Sequence, residues 1–288
     1  MKPPIFEYRR PATLKEALDL LREYGGEAKV LAGGQSLVPM MNLRMVHPEV
    51  VVDINRLSEL DYIRLDGRTL AIGALTRHQT LLESEEIAKG CPLMSEAYRY
   101  VAHLPIRNRG TLGGNICHSD PSSEMPAVLL ACDAHIAMAS HSGVRQVAIN
   151  DFLLGPLQTT IGPDEIVTEI RIPLHSQDEG WAFREVSARQ GDFAMAAIGT
   201  ILRISGGEIA RASIVVAGMG DRATRLSGVE QFLLKQRVSE SLFAEASAKA
   251  AELVNPDSSH QASAGYKRSL VQTLVARTLA DAVSRSNV

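Results

Sequence analysis

A chain of 288 residues, 45% hydrophobic and 22% charged, has the make-up of a globular protein long enough for two domains. A net charge of -3 offers no basic stripe for nucleic acid, and no apolar run approaches the roughly 18 residues of a membrane span. Met1-Lys2-Pro3-Pro4 lacks the apolar core of a signal peptide and any twin arginine, so a cytoplasmic location is expected.

Residues 5–8 alternate as a short strand. Pro11 and Thr13 open a helix in which Thr13 and Glu16 form a capping box, Leu14, Ala17, Leu18 and Leu21 make one apolar face, and Gly25-Gly26 close the end. The run 28–31 reads as a buried strand and leads into Ala32-Gly33-Gly34-Gln35-Ser36-Leu37. Leu37, Met40, Met41 and Met45 then recur at helical spacing and are expected in the core, and residues 50–54 form a continuous apolar strand. The first 55 residues or so are therefore expected to be a small α/β unit. The glycine pair admits two readings, a tight turn or a backbone cradle for a pyrophosphate. It is neither the G-x-G-x-x-G fingerprint nor a Walker A loop.

Residues 63–65 and 70–72 flank Asp66-Gly67 as a hairpin. Thr76 is expected to cap a helix carrying Leu81 and Leu82, and another helix should cover about 94–104, ended by Pro105. A second glycine stretch follows, Arg107-Asn108-Arg109-Gly110-Thr111-Leu112-Gly113-Gly114-Asn115. It reads either as a second cradle, with Thr111 and Asn115 bonding phosphate or sugar oxygens, or as a glycine-rich loop with solvated arginines. Asp120 and Glu124 stand at the start of a helix running through Val128, Leu129 and Leu130. They serve as caps and dipole partners or accept bonds from ligand hydroxyls. Residues 134–139 and 144–149 form a hairpin around His141-Ser142-Gly143, and a strand at 166–172 stops at Pro173.

A polar loop at 175–180 marks a domain boundary, giving 1–176 (subdomains about 1–55 and 56–176) and 177–288. Beyond it, runs at 181–188, 194–204 and 208–216 predict a three-stranded antiparallel sheet, followed by helices at about 228–235, 240–253 and 265–284. Leu270, Leu274, Leu279 and Val283 mark the buried side of the last helix, with Ala276 and Ala280 near it. Cys91, Cys117 and Cys132 form no C-x-x-C pair and are expected to be reduced structural thiols, so iron–sulfur clusters or zinc would have to lie on another chain.

Two glycine stretches about 80 residues apart, each leading into a helix, suit one ligand with two phosphates. The missing Rossmann glycines argue against a nicotinamide cofactor bound in the usual way. Four motifs in order, A-G-G-Q-S-L at 32–37, R-N-R-G-T-L-G-G-N at 107–115, Asp120-Pro121 with Glu124-Met125-Pro126-Ala127, and Gly191-Asp192-Phe193-Ala194, resemble the FAD-carrying medium subunit of molybdenum hydroxylases, the carbon monoxide dehydrogenase, quinoline oxidoreductase and xanthine dehydrogenase family. The resemblance spans nearly the whole chain. It implies an α+β fold: a two-subdomain FAD-binding domain of the PCMH (vanillyl-alcohol-oxidase-like) type, followed by the C-terminal sheet with a helical bundle. It implies FAD on this chain and no catalytic acid, base or nucleophile. A large partner subunit would hold the molybdenum–pterin cofactor and a small one two [2Fe-2S] clusters, in a dimer of heterotrimers.

Carried over position by position, the resemblance puts Ala32, Gly33, Gly34, Gln35, Ser36 and Leu37 around the pyrophosphate and Gly110, Thr111, Gly113, Gly114 and Asn115 in the second cradle. Asp120 and Glu124 then lie toward the ribityl or ribose hydroxyls, and Ile161 near the adenine or flavin edge. Arg184 would lie near the flavin carbonyls and Phe193 over the isoalloxazine ring. Gln35 and the run Ile116-Cys117-His118-Ser119 depart from the family pattern. Cys117 and His118 either tune the flavin or only line the loop. The competing reading is a self-contained flavoprotein oxidase or reductase of the same fold. The substrate of the complex stays open among carbon monoxide, aldehydes, purines and aromatic N-heterocycles, with a lean to the last. The electron acceptor is open as well.

Overall fold

A computed structural model describes residues 1–286, so Asn287 and Val288, at the end of the expected second domain, lie outside the described residues. The first unit is β1 (Glu7–Arg9), α1 (Leu14–Tyr24), β2 (Ala28–Leu31), α2 (Leu37–Asn42) and β3 (Val50–Asp53). Its three strands are parallel in the order β1-β3-β2, with Tyr8 opposite Val51 and Val30 opposite Val52. A central parallel strand is covered on both faces, which is why β3 reads as an unbroken Val-Val-Val. The capping box forms with a one-residue offset. Thr13 Oγ1 accepts from the Glu16 N–H at 3.2 Å, and the Glu16 carboxylate accepts from the Ala12 N–H at 2.7 Å.

The second unit runs through β4 (Ile63–Asp66), β5 (Thr69–Gly73), α3 (His78–Glu83), α4 (Glu85–Gly90), α5 (Pro92–Ala97), α6 (Leu104–Arg107), α7 (Leu112–His118) and α8 (Glu124–Ala131). It ends with β6 (His135–Ser140), β7 (Gly143–Ala148), α9 (Ile149–Phe152), β8 (Leu153–Gly155), β9 (Gln158–Thr159) and β10 (Ile166–Pro173). The strands β4-β5-β10-β6-β7 make one antiparallel sheet. Helix α8, Glu-Met-Pro-Ala-Val-Leu-Leu-Ala, is buried along its whole length.

The last unit holds β11 (Glu179–Ser187), β12 (Ala194–Ser205), β13 (Glu208–Ala217), β14 (Thr224–Arg225), α10 (Ser227–Leu233), α11 (Glu240–Leu253) and α12 (Ala264–Arg285). The expected three-stranded sheet gains β14 as a fourth, two-residue strand on β13. Strand β12 is buried on both faces. Ala194, Ala197 and Ile201 pack on the second unit with Phe183 and Val215, while Ala196, Ile198 and Leu202 pack under α10–α12. The apolar core is therefore continuous across residues 175–180. No helix among the described residues is long and apolar enough to cross a membrane.

Several local expectations change. The helix predicted at 94–104 stops at Ala97, the chain turns through Ala102 at φ +44°, and Pro105 lies in the first turn of α6 instead of ending a helix. A first-turn position suits proline, because the N–H it lacks would have no intrahelical partner. Thr76 caps no helix. Its hydroxyl accepts from the Tyr62 N–H at 3.2 Å and donates to the Tyr62 carbonyl at 3.0 Å, and α3 starts two residues later. The methionine stripe breaks where α2 ends: Met41 is buried and Met45 is exposed. On α12 the buried residues are Val271, Leu274, Val275, Thr278, Leu279 and Ala282, with Leu270 and Val283 partly buried and Ala280 exposed. The stripe is rotated because Thr278 and Thr200 hydrogen-bond in the interior at 2.9 Å. All three cysteines are free thiols, as expected, but Cys91 and Cys132 are neighbours, their sulfurs 3.6 Å apart.

Candidate functional site

The two glycine stretches meet. A Cβ built on Gly33 would lie against the Arg109 carbonyl oxygen and 2.7 Å from Gly110 Cα, so only glycine lets the backbones touch there. A Cβ on Gly114 would be 3.7 Å from Ala32 Cβ. Gly34 adopts φ +73°, which turns the chain into α2. The carbonyls of Gly34 and Ser36 accept from Val38 N–H at 3.2 Å and Met40 N–H at 3.0 Å. Their own amides, and that of Gln35, have no acceptor within the chain among the described residues. Gln35 folds back, its Nε2 donating to the Gly33 carbonyl at 3.1 Å.

The second stretch is built differently. Leu112 N–H donates to Thr76 O at 3.1 Å, Gly113 N–H to Ala74 O at 2.9 Å, and Asn115 N–H to Thr111 O at 3.0 Å. The Thr111 hydroxyl caps the Gly114 N–H at 3.1 Å. Gly113 is glycine because a Cβ there would press on Ala74, and Gly110 because a Cβ would press on the His78 ring. His78 is buried beneath this loop, its Nδ1 3.3 Å from the Tyr98 hydroxyl. Burial holds its imidazole down at about 4, assisted by the Arg107 and Arg77 charges, so it is neutral near pH 7. The loop expected to wrap phosphate through its amides thus has those amides engaged by its own scaffold.

A polar chain joins the loops, and sequence reasoning missed it. Arg77 donates to the Arg109 carbonyl and, through Nη2, to Asn55 Oδ1 at 2.6 Å. Asn55 Nδ2 donates to the Ala32 carbonyl at 2.7 Å and to Asp53 at 2.6 Å, and Asp53 accepts from the Tyr8 hydroxyl. The legible signal was Asp53-Ile54-Asn55, an Asx turn at the end of β3 in which Asp53 accepts from the Asn55 N–H at 2.9 Å.

At the far end of α7, Asn115 Nδ2 donates to Ser123 Oγ at 2.9 Å, so this side chain fastens α7 to the start of α8. Asp120 accepts from the Ser122 N–H at 2.8 Å. Glu124, the first residue of α8, is 4% exposed. Burial pushes its carboxyl up to about 7, with Asp120 adding to the shift. Glu185, on β11, has both carboxylate oxygens buried without a partner, and burial with the Glu124 charge pushes it up to about 8. Arg184 is held by Asp281 of α12 at 2.6 Å, so its cation already has a carboxylate partner. Phe193 is exposed on the β11–β12 loop. That loop rests on the segment before α6, where a Cβ on Gly191 would lie 2.5 Å from the His103 ring and 3.0 Å from the Ala102 carbonyl. Ile161 packs partly buried on the core of the second unit, and the β8–β9 hairpin before it meets α7 through Leu157 N–H to Ser119 O at 3.1 Å. Burial pushes the Cys117 thiol up to about 12 and the His118 imidazole down, which leaves neither a thiolate nor a readily charged ring near neutral pH.

The structure thus brings Ala32, Gly33, Gly110 and Gly114 together, links Asn115 to the start of α8, and puts Glu124 near Glu185. Open amides at the first loop, together with the buried carboxyl of Glu124 and an unpartnered Glu185, fit a ligand with a pyrophosphate at one end and hydroxyl and amide groups at the other, as FAD has.

Comparison with known proteins agrees. Residues 4–175 match the model of the FAD binding domain in molybdopterin dehydrogenase, and residues 181–282 that of the CO dehydrogenase flavoprotein C-terminal domain. The chain is 40% identical to the 6-hydroxypseudooxynicotine dehydrogenase complex subunit alpha of Paenarthrobacter nicotinovorans, covering 99% of this chain and 97% of that one. It is 39% identical to the caffeine dehydrogenase subunit beta of a Pseudomonas species, over the same shares. Among solved structures, carbon monoxide dehydrogenase from Hydrogenophaga pseudoflava superposes with a TM-score of 0.96 at 36% identity, covering 99% of this chain and 100% of that one. Quinoline 2-oxidoreductase from Pseudomonas putida 86 gives 0.95 at 33%, with both chains covered in full. The fold, the meeting of the two glycine loops and these likenesses lead to one conclusion: the chain belongs to the FAD-binding medium subunits of the carbon monoxide dehydrogenase and molybdenum hydroxylase family of oxidoreductases.

Proposed function

We propose that this chain binds FAD across the junction of its two glycine loops and passes electrons from iron–sulfur clusters on a small partner subunit to an external acceptor. The contact of Gly33 with Arg109 and Gly110 carries the reading, because it sets the open amides of 34–36 beside a second, prefastened loop. Bound FAD supplies two-electron redox chemistry that can be filled one electron at a time. The chain's own work is to hold it. The amides of Gly34, Gln35 and Ser36 bind pyrophosphate oxygens, with the Ser36 hydroxyl and Leu37 beside them. Gly110, Thr111, Gly113, Gly114 and Asn115 form the floor, Asp120 and Glu124 take hydroxyls, Ile161 lines the adenine or flavin edge, Arg184 lies toward the ring carbonyls, and Phe193 shields a ring face. The division at 176/177 then separates the FAD-binding domain from a C-terminal domain that completes the ring side.

A large subunit with a molybdenum–pterin cofactor and a small one with two [2Fe-2S] clusters complete a dimer of heterotrimers working in the cytoplasm. The substrate is proposed to be an aromatic N-heterocycle, which the names of the caffeine and quinoline relatives support, while a relative named for glyceraldehyde keeps aldehydes in play. Purification of the complex from its native host tests this. One flavin per copy of this chain should accompany molybdenum, iron and two further chains. If the isolated chain oxidised or reduced a small substrate at full turnover, it would be a self-contained flavoenzyme and the subunit reading would fail.

A further inference from the structure

We propose that Glu185 is a positioning residue of the cofactor site, its carboxyl group donating a hydrogen bond to the bound flavin nucleotide. This rests on the reading that the chain carries FAD. Both Glu185 oxygens are buried without a hydrogen-bond partner, whereas Glu96 and Asp281 are paired with arginines. Glu96 of α5 pairs with Arg285 at 2.6 Å, and Asp281 of α12 holds Arg184, the residue before Glu185, at 2.6 Å. Among the described residues, no cation figures in the electrostatics of Glu185. Across the sheet its partner is Ala197, which has nothing to offer. A buried carboxylate in such a place is costly, and it persists where a ligand supplies the missing bond.

The group nearest in effect is Glu124, whose charge disfavours ionisation of Glu185. Two buried carboxyls with no cation between them are driven to keep a proton, so one of them becomes a donor. A divalent metal is the other obvious guest. It needs about six oxygen ligands, and no cluster of three or more metal-ligating side chains occurs among the described residues. The place is the right one for the nucleotide. Glu124 begins the helix that Ser123 fastens to Asn115 of the second glycine loop. Glu185 lies on the strand that leads into the Gly191-Asp192-Phe193 loop, which itself rests on the segment entering that glycine loop. Glu185, with both oxygens unpartnered, is then the donor to a ligand acceptor atom.

The charged and titratable groups around the pair come from each neighbouring element. Asp120 lies in the turn before α8, Tyr100 in the segment after α5, and Arg184 with Asp281 at the strand and α12.

The test is FAD retitration of the stripped full chain, read by flavin fluorescence at pH 6.5 and pH 9 and by the thermal midpoint without FAD. Wild type should lose about tenfold in affinity between the two pH values, since the donated proton is lost above the Glu185 pKa. Glu185→Gln keeps a donor at every pH and should bind within twofold of wild type at pH 6.5 with a flat profile. Glu185→Leu should bind about tenfold more weakly at pH 6.5 with an unchanged or raised midpoint, because an apolar side chain removes an unpartnered buried group. A wild-type affinity independent of pH, with Glu185→Leu equal to wild type, would overturn the proposal. If Glu185→Leu does not fold, the slope of Glu185→Gln against wild type decides alone. Failure of wild type to bind FAD at either pH would instead sink the proposed function.

Discussion

The two glycine loops look alike in sequence and are built to opposite ends. The first, 32–37, leaves the amides of Gly34, Gln35 and Ser36 without acceptors among the described residues and touches its neighbour through Gly33. In the second, 110–115, Thr76, Ala74 and Thr111 take up the amides, and its glycines admit other parts of the protein, Ala74 against Gly113 and the His78 ring against Gly110. Glycine in the first loop admits the backbone of the second, and glycine in the second admits the scaffold beneath it. A glycine-rich run therefore names a close approach without naming what approaches.

That contrast can be broken most severely at the contact itself. Gly33→Val drives a branched side chain into the Arg109 carbonyl and Gly110 Cα, backbone that cannot step aside. It should cost about 3 kcal/mol or more and leave the protein without flavin, read by the denaturation midpoint and by absorption near 450 nm after purification. A protein that kept both would refute the junction. The next largest effect concerns the floor of the second loop. His78, held at about 4 when folded and near 6.5 when unfolded, binds more protons in the unfolded state between those values. Stability of wild type should thus fall as pH drops from 6.5 toward 4, by about 3 kcal/mol in all, and His78→Gln should flatten that limb in urea titrations.

Arg77→Met removes the bridge between the loops, leaving the Arg109 carbonyl and Asn55 short of a charged donor. A loss of about 2 kcal/mol is expected, with FAD affinity weakened about tenfold because the loops are no longer fixed to one another. The smallest and most pointed pair separates the two roles. Thr111→Val should lower stability by about 1 kcal/mol through the lost cap and change FAD affinity little, while Ser36→Ala should weaken FAD several-fold with the midpoint unmoved. Isothermal titration beside thermal melts checks both, and the reverse pattern would mean that the two loops had been assigned the wrong way round.

Much of the architecture was legible in the chain. Continuous Val-Val-Val announced an apolar strand, Asp66-Gly67 and His141-Ser142-Gly143 announced hairpins, and Thr13 with Glu16 announced a helix start. What went astray did so for local reasons. Pro105, by its sequence position a helix stop, sits in a first turn, and Thr76, by its sequence position a cap, turns its hydroxyl to the Tyr62 backbone. The positions of the glycine loops were plain from their motifs, but nothing in them showed that Thr111 and Asn115 serve the protein's own interior, or that Arg77 and Asn55 tie the loops together.

By itself the sequence determined the elements, their order and the places where backbone must come close, because periodicity, turn chemistry and glycine act over a few residues. Only the tertiary structure decided which partners fill those approaches. Gly33 meets Gly110 across 77 residues of chain, and Glu124, at the start of α8, comes close enough to Glu185 of β11 for its charge to be felt there. Such pairings depend on how buried faces stack, and burial is also what raises the pKa of both carboxyls.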